Sequence, residues 1–431
     1  MTSSAFAIRF RLKNFLPAWI VNHARILLAA ILLIGLLIRL PFAAIDFHNS
    51  ADLRLYMDWA KAARTSGLAA IYSVPSLDYP PLFLYFLAGA DWLTTNLAET
   101  VRQSALIAFI KLPSILADGL TASIIAWVGW QHSARVALLA ATLYSLNPAV
   151  WYVSAYWGQT DSIYTLSLVL TLVMLVEQHL VTGWLAYTLA LGTKVQSLVL
   201  APLLIVATLL EYKWRAWISA VIVTSFAWGL LVTPWLVHGR VADVLQIYRA
   251  VPKEAPRVDV SAYNLWYLVR QGHIQYMSSE HHPLGLPVTY QSLGIFLVLG
   301  YAALVMVLYI KHRKAFLTAA GLSLGLYMLP TQIHERYMFP VLAFIALAAI
   351  SDPRLWLVYG LLSATFFFNL VTIAPFSPIL GTNLITMDVT SPWIAFLKAV
   401  ALLAAAINLL VLGWLVLRLA RTEPQPELVK P

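Results

Sequence analysis

The chain has 431 residues and not one cysteine. That excludes a disulfide framework, a thiolate nucleophile and a cysteine–zinc centre. Charge is the second scarcity. Asp, Glu, Lys and Arg make up 11% of the residues, against about 25% in a soluble domain. So little charge leaves too little polar surface to keep a large globule in water, and the low polarity also excludes a disordered chain. Several motifs are missing too. No H-E-x-x-H pair is present, and His281-His282 has no helical partner, so a zinc protease is excluded. There is no P-loop or Rossmann fingerprint, and no room for a soluble nucleotide-binding domain.

Hydrophobic residues are what the chain has in quantity, 61% of the total, with mean hydropathy +0.78. The composition predicts an all-α, polytopic membrane protein. A spanning helix takes roughly 20 apolar residues. By that measure spans fall near 26–44, 105–130, 136–148, 161–178, 181–193, 195–210, 215–237, 289–310, 315–330, 337–350, 354–372 and 393–417, twelve in all. The run from Ile26 is too long for a signal-peptide core and lacks a small-residue cleavage site, so it reads as the first span. Several spans are short, notably 136–148 and 181–193, as suits helices facing a cavity rather than lipid. Segment 81–96 carries Asp91 after Pro80-Pro81 and reads as an interfacial or re-entrant helix. The result is a single transmembrane domain over 1–431, with helical outer loops at 45–103 and 238–288 and a shorter one at 373–392.

The net charge of +9 is sided. With the N-terminus inside, 14 of the 28 basic residues fall on the inner side, among them Arg9, Arg11, Lys13, Arg135, Lys314, Arg418 and Lys430. Only five acids join them (Glu177, Glu211, Asp352, Glu423 and Glu427), so the inner side carries the whole excess. Cytoplasmic loops collect Lys and Arg in this way. The expectation is a multi-pass protein of a prokaryotic inner membrane with both termini cytoplasmic. A basic soluble protein would suggest nucleic acid as a partner; a sided membrane protein does not.

The unusual polar residues gather on the outer side. In the first loop Asp52, Arg54, Tyr56, Asp58 and Trp59 follow at helical spacing, and Asp52 and Tyr56 share a face. Asp78-Tyr79-Pro80-Pro81 is a stiff turn. These carboxylates either deprotonate a hydroxyl at the membrane surface or belong to a solvated interfacial helix and a structural turn. In 145–166, Asn147-Pro148 ends a helix, and Trp151, Tyr152, Tyr156 and Trp157 read as an interfacial aromatic belt. Gln159 and Asp161 beside Gly158 need polar partners so close to a membrane. In GTKVQS, Lys194 either snorkels to the interface or holds a phosphate, and Gln196 lies beside it. The sharpest cluster is LPTQIHERYMFP, where Pro330 and Pro340 bracket Gln332, His334, Glu335 and Arg336. A histidine and a planar guanidinium suit phosphate oxygens. A plain Glu335–Arg336 surface pair is the other reading.

The ordered set ADLRLYMDWA, DYPPL, NPAVWYVSAYWGQTD, TKVQ and QIHERYMFP resembles the GT-C superfamily of integral-membrane glycosyltransferases over roughly residues 40–400. DYPPL and HER resemble the dolichyl-phosphate-glucose-dependent glucosyltransferases of N-glycan assembly. The general pattern also resembles bacterial relatives of the GPI mannosyltransferases. The resemblance implies an inverting transferase with a polyprenyl-phosphate sugar as donor. The acceptor would be a hydroxyl of a glycan, a lipid-linked sugar or a protein outside the cytoplasm. It places the base at Asp52, with Asp46 and Asp58 as rivals, and a second carboxylate at Asp78. His334, Arg336 and Lys194 would take the donor phosphate, with Arg336 standing where the glucosyltransferases tend to have Lys. Tyr79, Trp157, Gln159, Asp161, Gln196, Gln332 and Glu335 would line the substrates. Metal use varies across the superfamily, and no cofactor or metal ligand is assigned here. A transporter or flippase of a lipid-linked or polar solute is the rival class. It predicts polar residues near mid-membrane in both halves of the chain.

Overall fold

Phe339 to Ile350 is a run without one polar side chain, and every residue in it is buried. A helix apolar all round belongs at the centre of a bundle. In the computed structural model this helix, Phe339–Ser351, packs against Ala315–Met328, Leu355–Ile373, Asp161–Val176 and Glu99–Trp130. The structure describes residues 22–47, 50–74, 77–250, 256–272, 277–373 and 392–421. Arg9, Arg11, Lys13, the third outer loop from 374 to 391, and the tail with Glu423, Glu427 and Lys430 lie outside the described residues.

The elements that position the site are α1 (Ala24–Ala43), α2 (Ala51–Thr65), α3 (Pro81–Thr94), α4 (Glu99–Trp130), α5 (Ala134–Ser145) and α6 (Pro148–Trp151). A π-turn, Tyr152–Trp157, follows α6 and leads to α7 (Asp161–Val176) and α8 (Leu180–Thr193). Further on lie α9 (Ala201–Glu211), α10 (Trp214–Leu231), α11 (Tyr290–His312), α12 (Ala315–Met328), α13 (Phe339–Ser351), α14 (Leu355–Ile373) and α15 (Pro392–Ala420). The described residues contain no strand, only one isolated bridge between Arg257 and Ser278.

All twelve apolar segments are helical, so the all-α multi-pass expectation holds. By length and composition, six helices are fit to cross a membrane: α1, α4, α10, α11, α14 and α15. A seventh arises if α5 and the helical stretch Pro148–Trp157, bent by 43°, count as one span. The remaining segments are helices of at most 17 residues, close to the bounds read from the sequence, and length and composition do not make spans of them. The central helix packs on protein at every position, and no lipid thickness dictates its length. The bend after α5 has a local cause. Pro148 opens α6, and the Asn147 side chain accepts from the Ala149 N–H at 2.9 Å while donating to Tyr359 and Ser363. By contrast α10 buries only Ala220 and shows Val221, Ile222 and Phe226 outward.

The short helix α12 separates two chemically distinct ends. At its start Lys314 Nζ donates to the Arg418 and Arg421 carbonyls, both at 2.9 Å. Arg418 there reaches Asp352 at 2.6 Å, and Arg313 reaches Glu211 at 3.2 Å. These are among the residues that the order of spans, with the N-terminus inside, places on the inner side. At the far end of α12 the chain enters 329–338, the bracketed His-Glu-Arg cluster. Charge also lies within the apolar core. Arg39 and Asp118, both buried, pair at 3.0 Å, with Ser154 donating to Asp118 at 2.5 Å. Asp91 in α3 is buried as well, held by Arg64 and by Arg102.

Candidate active site

Five stretches of the sequence meet at one end of the bundle: the start of α2, the turn before α3, the residues between the π-turn and α7, the break after α8 and the break after α12. Ser50 caps α2, its side chain accepting from the Leu53 N–H, so Asp52 stands in the first turn. The turn 77–80 is extended because proline restricts both itself and the residue before it. The π-turn arises where the Gly158 and Gln159 N–H groups both reach back to the Val153 carbonyl, at 3.1 and 2.9 Å. Gly158 ends it at φ +86°, and a β-carbon there would stand 2.9 Å from Lys111 Cε.

Lys111 explains why the chain keeps that shape. Its Nζ, with three protons to give, lies within hydrogen-bonding distance of four backbone carbonyls: Phe42 at 3.1 Å, Ile45 at 2.8 Å, Ala155 at 2.9 Å and Tyr156 at 3.1 Å. One turn on, Ser114 Oγ donates to the Gln159 carbonyl at 2.7 Å. The face of α4 that carries Lys111, Ser114 and Asp118 therefore fixes the strand of chain that presents Gln159 and Asp161. Nothing in the composition of this span marks Lys111. The one available signal is its position, a lone lysine well inside an apolar helix.

On the anionic side Asp52 Oδ2 accepts from Gln159 Nε2 at 2.6 Å, and Oδ1 has no hydrogen bond to the described residues. The Asp52 charge reaches Lys194, Glu335 and Arg336. Asp78 is exposed, yet protein crowds its carboxyl and raises it above the usual carboxylate range, with Arg336 pulling the other way. Water access together with a dense surround describes the floor of a crevice. His334 shares both properties: its side chain is 33% exposed, but burial and the Arg336, Lys194 and Arg257 charges hold it well below the ordinary histidine value. It is a neutral imidazole at pH 7.

On the cationic side Lys194 sits 2.9 Å from both oxygens of Asp161. Arg336 stands 3.3 Å from Glu335 and 3.9 Å from Asp161. Tyr337 lies between the two cations, with its ring 5.6 Å from Lys194 Nζ and 5.9 Å from the Arg336 guanidinium carbon. Tyr164 adds a face to Lys194 at 5.4 Å and Trp157 one to Arg336 at 5.4 Å. Aromatic faces hold cations without neutralising them; the compensating charge here comes from Asp161 and Glu335. Lys194 is buried in an ion pair and does not snorkel. Trp157 is a wall of the site rather than a belt residue alone. Burial also raises Glu335, and Arg336 opposes the shift.

The structure thus brings together Asp52, Tyr79, Trp157, Gln159, Asp161, Lys194, His334, Glu335 and Arg336, with Asp78 within electrostatic reach. Gln332, at φ +65°, turns instead to Ser279 of the loop 238–288, at 3.0 Å. Gln196 makes no hydrogen bond to the described residues. Of the rivals for the base, Asp46 accepts from the Ser50 N–H at 3.0 Å and Asp58 is exposed on α2. Sequence reasoning did not single out Thr160, Tyr164 or Tyr337. Tyr164 follows Asp161 at a spacing of three, which is the signal that would find it; no spacing marks Thr160 or Tyr337. Among the described residues no group of three His, Asp or Glu side chains is placed to hold a metal ion.

In fold the chain is similar to ArnT from Cupriavidus metallidurans in its crystal structure bound to undecaprenyl phosphate. The TM-score is 0.51 and the identity 16%, over 92% of this chain and 74% of that one. The apo structure of the same protein gives TM-score 0.51 and 16% identity, over 93% and 74% of the two chains. No protein-family model matches the chain, and no curated protein matches it in sequence. The GT-C fold expected from the order of the motifs is the fold the chain has.

Proposed function

We propose that the chain is an inverting glycosyltransferase of a prokaryotic inner membrane. It moves a sugar from a polyprenyl-phosphate donor to a hydroxyl acceptor on the extracytoplasmic face. The observation that carries this reading is one juxtaposition: Asp52, with one oxygen held by Gln159 and the other without a hydrogen bond to the described residues, shares a crevice with Lys194, Arg336 and His334. That a protein of the same fold is seen with undecaprenyl phosphate supports a polyprenyl phosphate as the lipid partner.

In this reading Asp52 removes the proton of the acceptor hydroxyl while that oxygen attacks the anomeric carbon from the side opposite the phosphate. The new carbon–oxygen bond forms as the sugar–phosphate bond breaks, and the electron pair leaves on the polyprenyl phosphate. A single displacement needs no enzyme nucleophile, in keeping with a chain that has no cysteine. Lys194 and Arg336, each shared with a carboxylate in the resting site, stabilise the charge that grows on the leaving phosphate. Neutral His334 donates a hydrogen bond to it. The polar groups of the site gather at one end of an apolar bundle, which favours a transferase over a flippase.

The test is purified protein with a panel of synthetic polyprenyl-phosphate sugars, read as donor consumed and product formed. Turnover by wild type that is lost in Asp52→Asn is the expected result. Equal turnover by the two would remove Asp52 as base, and a panel neither bound nor consumed would sink the transferase reading.

A further inference from the structure

A line of hydrogen bonds runs behind the crevice and ends on Asp52. Thr160 Oγ1 lies 3.4 Å from Tyr79 Oη, which lies 2.6 Å from Tyr56 Oη. Tyr56 Oη lies 3.1 Å from Gln159 Oε1, and Gln159 Nε2 lies 2.6 Å from Asp52 Oδ2. All five residues except Asp52 are buried.

An ionised carboxylate can only accept, so Gln159 must present its NH₂ group to it. The amide oxygen then faces Tyr56, whose single proton is committed there. The Tyr56 oxygen accepts from Tyr79, and the Tyr79 oxygen accepts from Thr160. Burial raises both phenols above their ordinary value, so each keeps the proton that this order requires. The opposite order would need a protonated Asp52. With Lys194 and Arg336 facing the carboxylate, the order that ends on an anion is the one the surrounding charges select.

We infer that Gln159, aimed by Tyr56 and Tyr79, is a positioning residue that holds Asp52 as an acceptor with Oδ2 occupied, leaving Oδ1 as the oxygen that receives the proton. Gln159 and Tyr79 then serve the base rather than the substrate. The assignment of Oδ1 rests on the proposed function; the control of Asp52 by Gln159 does not.

The groups whose charge couples to Asp52 are Tyr56 on its own helix, Asp78 before α3, Lys194 after α8, and Glu335 and Arg336 before α13. All are retained in Gln159→Glu, so a shift in that variant reports the contact at 159. A second carboxylate at this distance must share a proton with Asp52, and the pair titrates together.

The experiment follows Asp52 in two ways. One is an infrared titration of purified protein with carbon-13 aspartate, using Asp52→Asn as the subtraction. The other is the pH–rate profile with the polyprenyl-phosphate sugar panel. Gln159→Glu is expected to move the Asp52 titration, and the acid limb of kcat, upward by more than about one pH unit. Tyr56→Phe frees the amide, and is expected to move both by less, in the same direction, and to lower kcat more than it changes KM. Tyr56→Phe also decides the matter if Gln159→Glu does not fold. An Asp52 titration unmoved in the folded variants overturns the inference. A titration that moves while wild type consumes no donor leaves the inference standing and removes the transferase reading.

Discussion

Lys194 Nζ stands 2.9 Å from both carboxylate oxygens of Asp161, and their side chains are only 6% and 0% exposed. Removing one partner strands the other charge away from water. Lys194→Met is therefore expected to cost about 3–5 kcal/mol of stability. Lys194→Met with Asp161→Asn should regain most of the lost melting temperature and none of the turnover. Thermal unfolding and donor consumption, measured on the same preparations, separate the two effects. A double variant as active as wild type would take Lys194 out of the site.

Among the first-loop acids, one substitution should matter far more than the others. Asp52→Asn is expected to lower kcat by about 10²–10⁴ while leaving the melting temperature close to wild type. Asp58→Asn, on an exposed position of α2, should turn over normally. Asp46→Ala loses a turn contact to Ser50 and should affect stability before rate. Steady-state kinetics of the three variants checks the order.

His334 gives stability a pH dependence of definite sign. Its folded value lies well below that of the unfolded chain because burial and three cations oppose its charging. The folded state therefore binds fewer protons, and the contribution is present in full above about pH 6.5 and lost as pH falls below it. Asp78 and Glu335, both raised, run the opposite way. The difference between wild type and His334→Gln isolates the histidine, and the variant should lose less stability than wild type between about pH 6.5 and 5. Parallel melting curves in that window would refute it.

The bend that presents Gln159 can be tested from its glycine. Gly158→Ala forces a side chain into a left-handed conformation, at about 1–2 kcal/mol, and into the stem of Lys111. Lys111→Met leaves four carbonyls without their donor. Both should lower the melting temperature, and Lys111→Met more than a Leu→Ala change on the lipid-facing side of α10. Thermal shift in detergent measures this.

Sidedness has its own check. Reporter fusions at residues 132 and 312 should read cytoplasmic. An outer signal at either would invert the placement of the site.

Much of this site was legible because charge is conspicuous in a chain with so little of it. Lys194, Asp161 and the His-Glu-Arg cluster stand out between apolar runs, and each forms part of one centre in the structure. What sequence could not display is pairing over distance: Gln159 meets Asp52 across 107 positions, and Arg39 meets Asp118 across 79. The π-turn was hidden for another reason. Its residues are aromatic and apolar, so they read as an interfacial belt, while the lysine that fixes them sits on a different helix. The number of spans is what hydropathy leaves open: a helix surrounded by protein is as apolar as one that crosses lipid, since hydropathy records apolarity and not what supplies it.

The length of α12 has a consequence for the lipid. Its fourteen residues rise about 21 Å, while a bilayer's hydrocarbon core is about 30 Å thick. Were the Lys314 end to stand at one boundary, α12 would stop about 9 Å short of the other, and the crevice beyond its end would be sunk into the layer rather than raised above it. A polyprenyl phosphate would meet the catalytic groups at its own resting depth. The reaction would then need no upward displacement of the isoprenoid out of oil, and only the water-soluble part of an acceptor would have to descend.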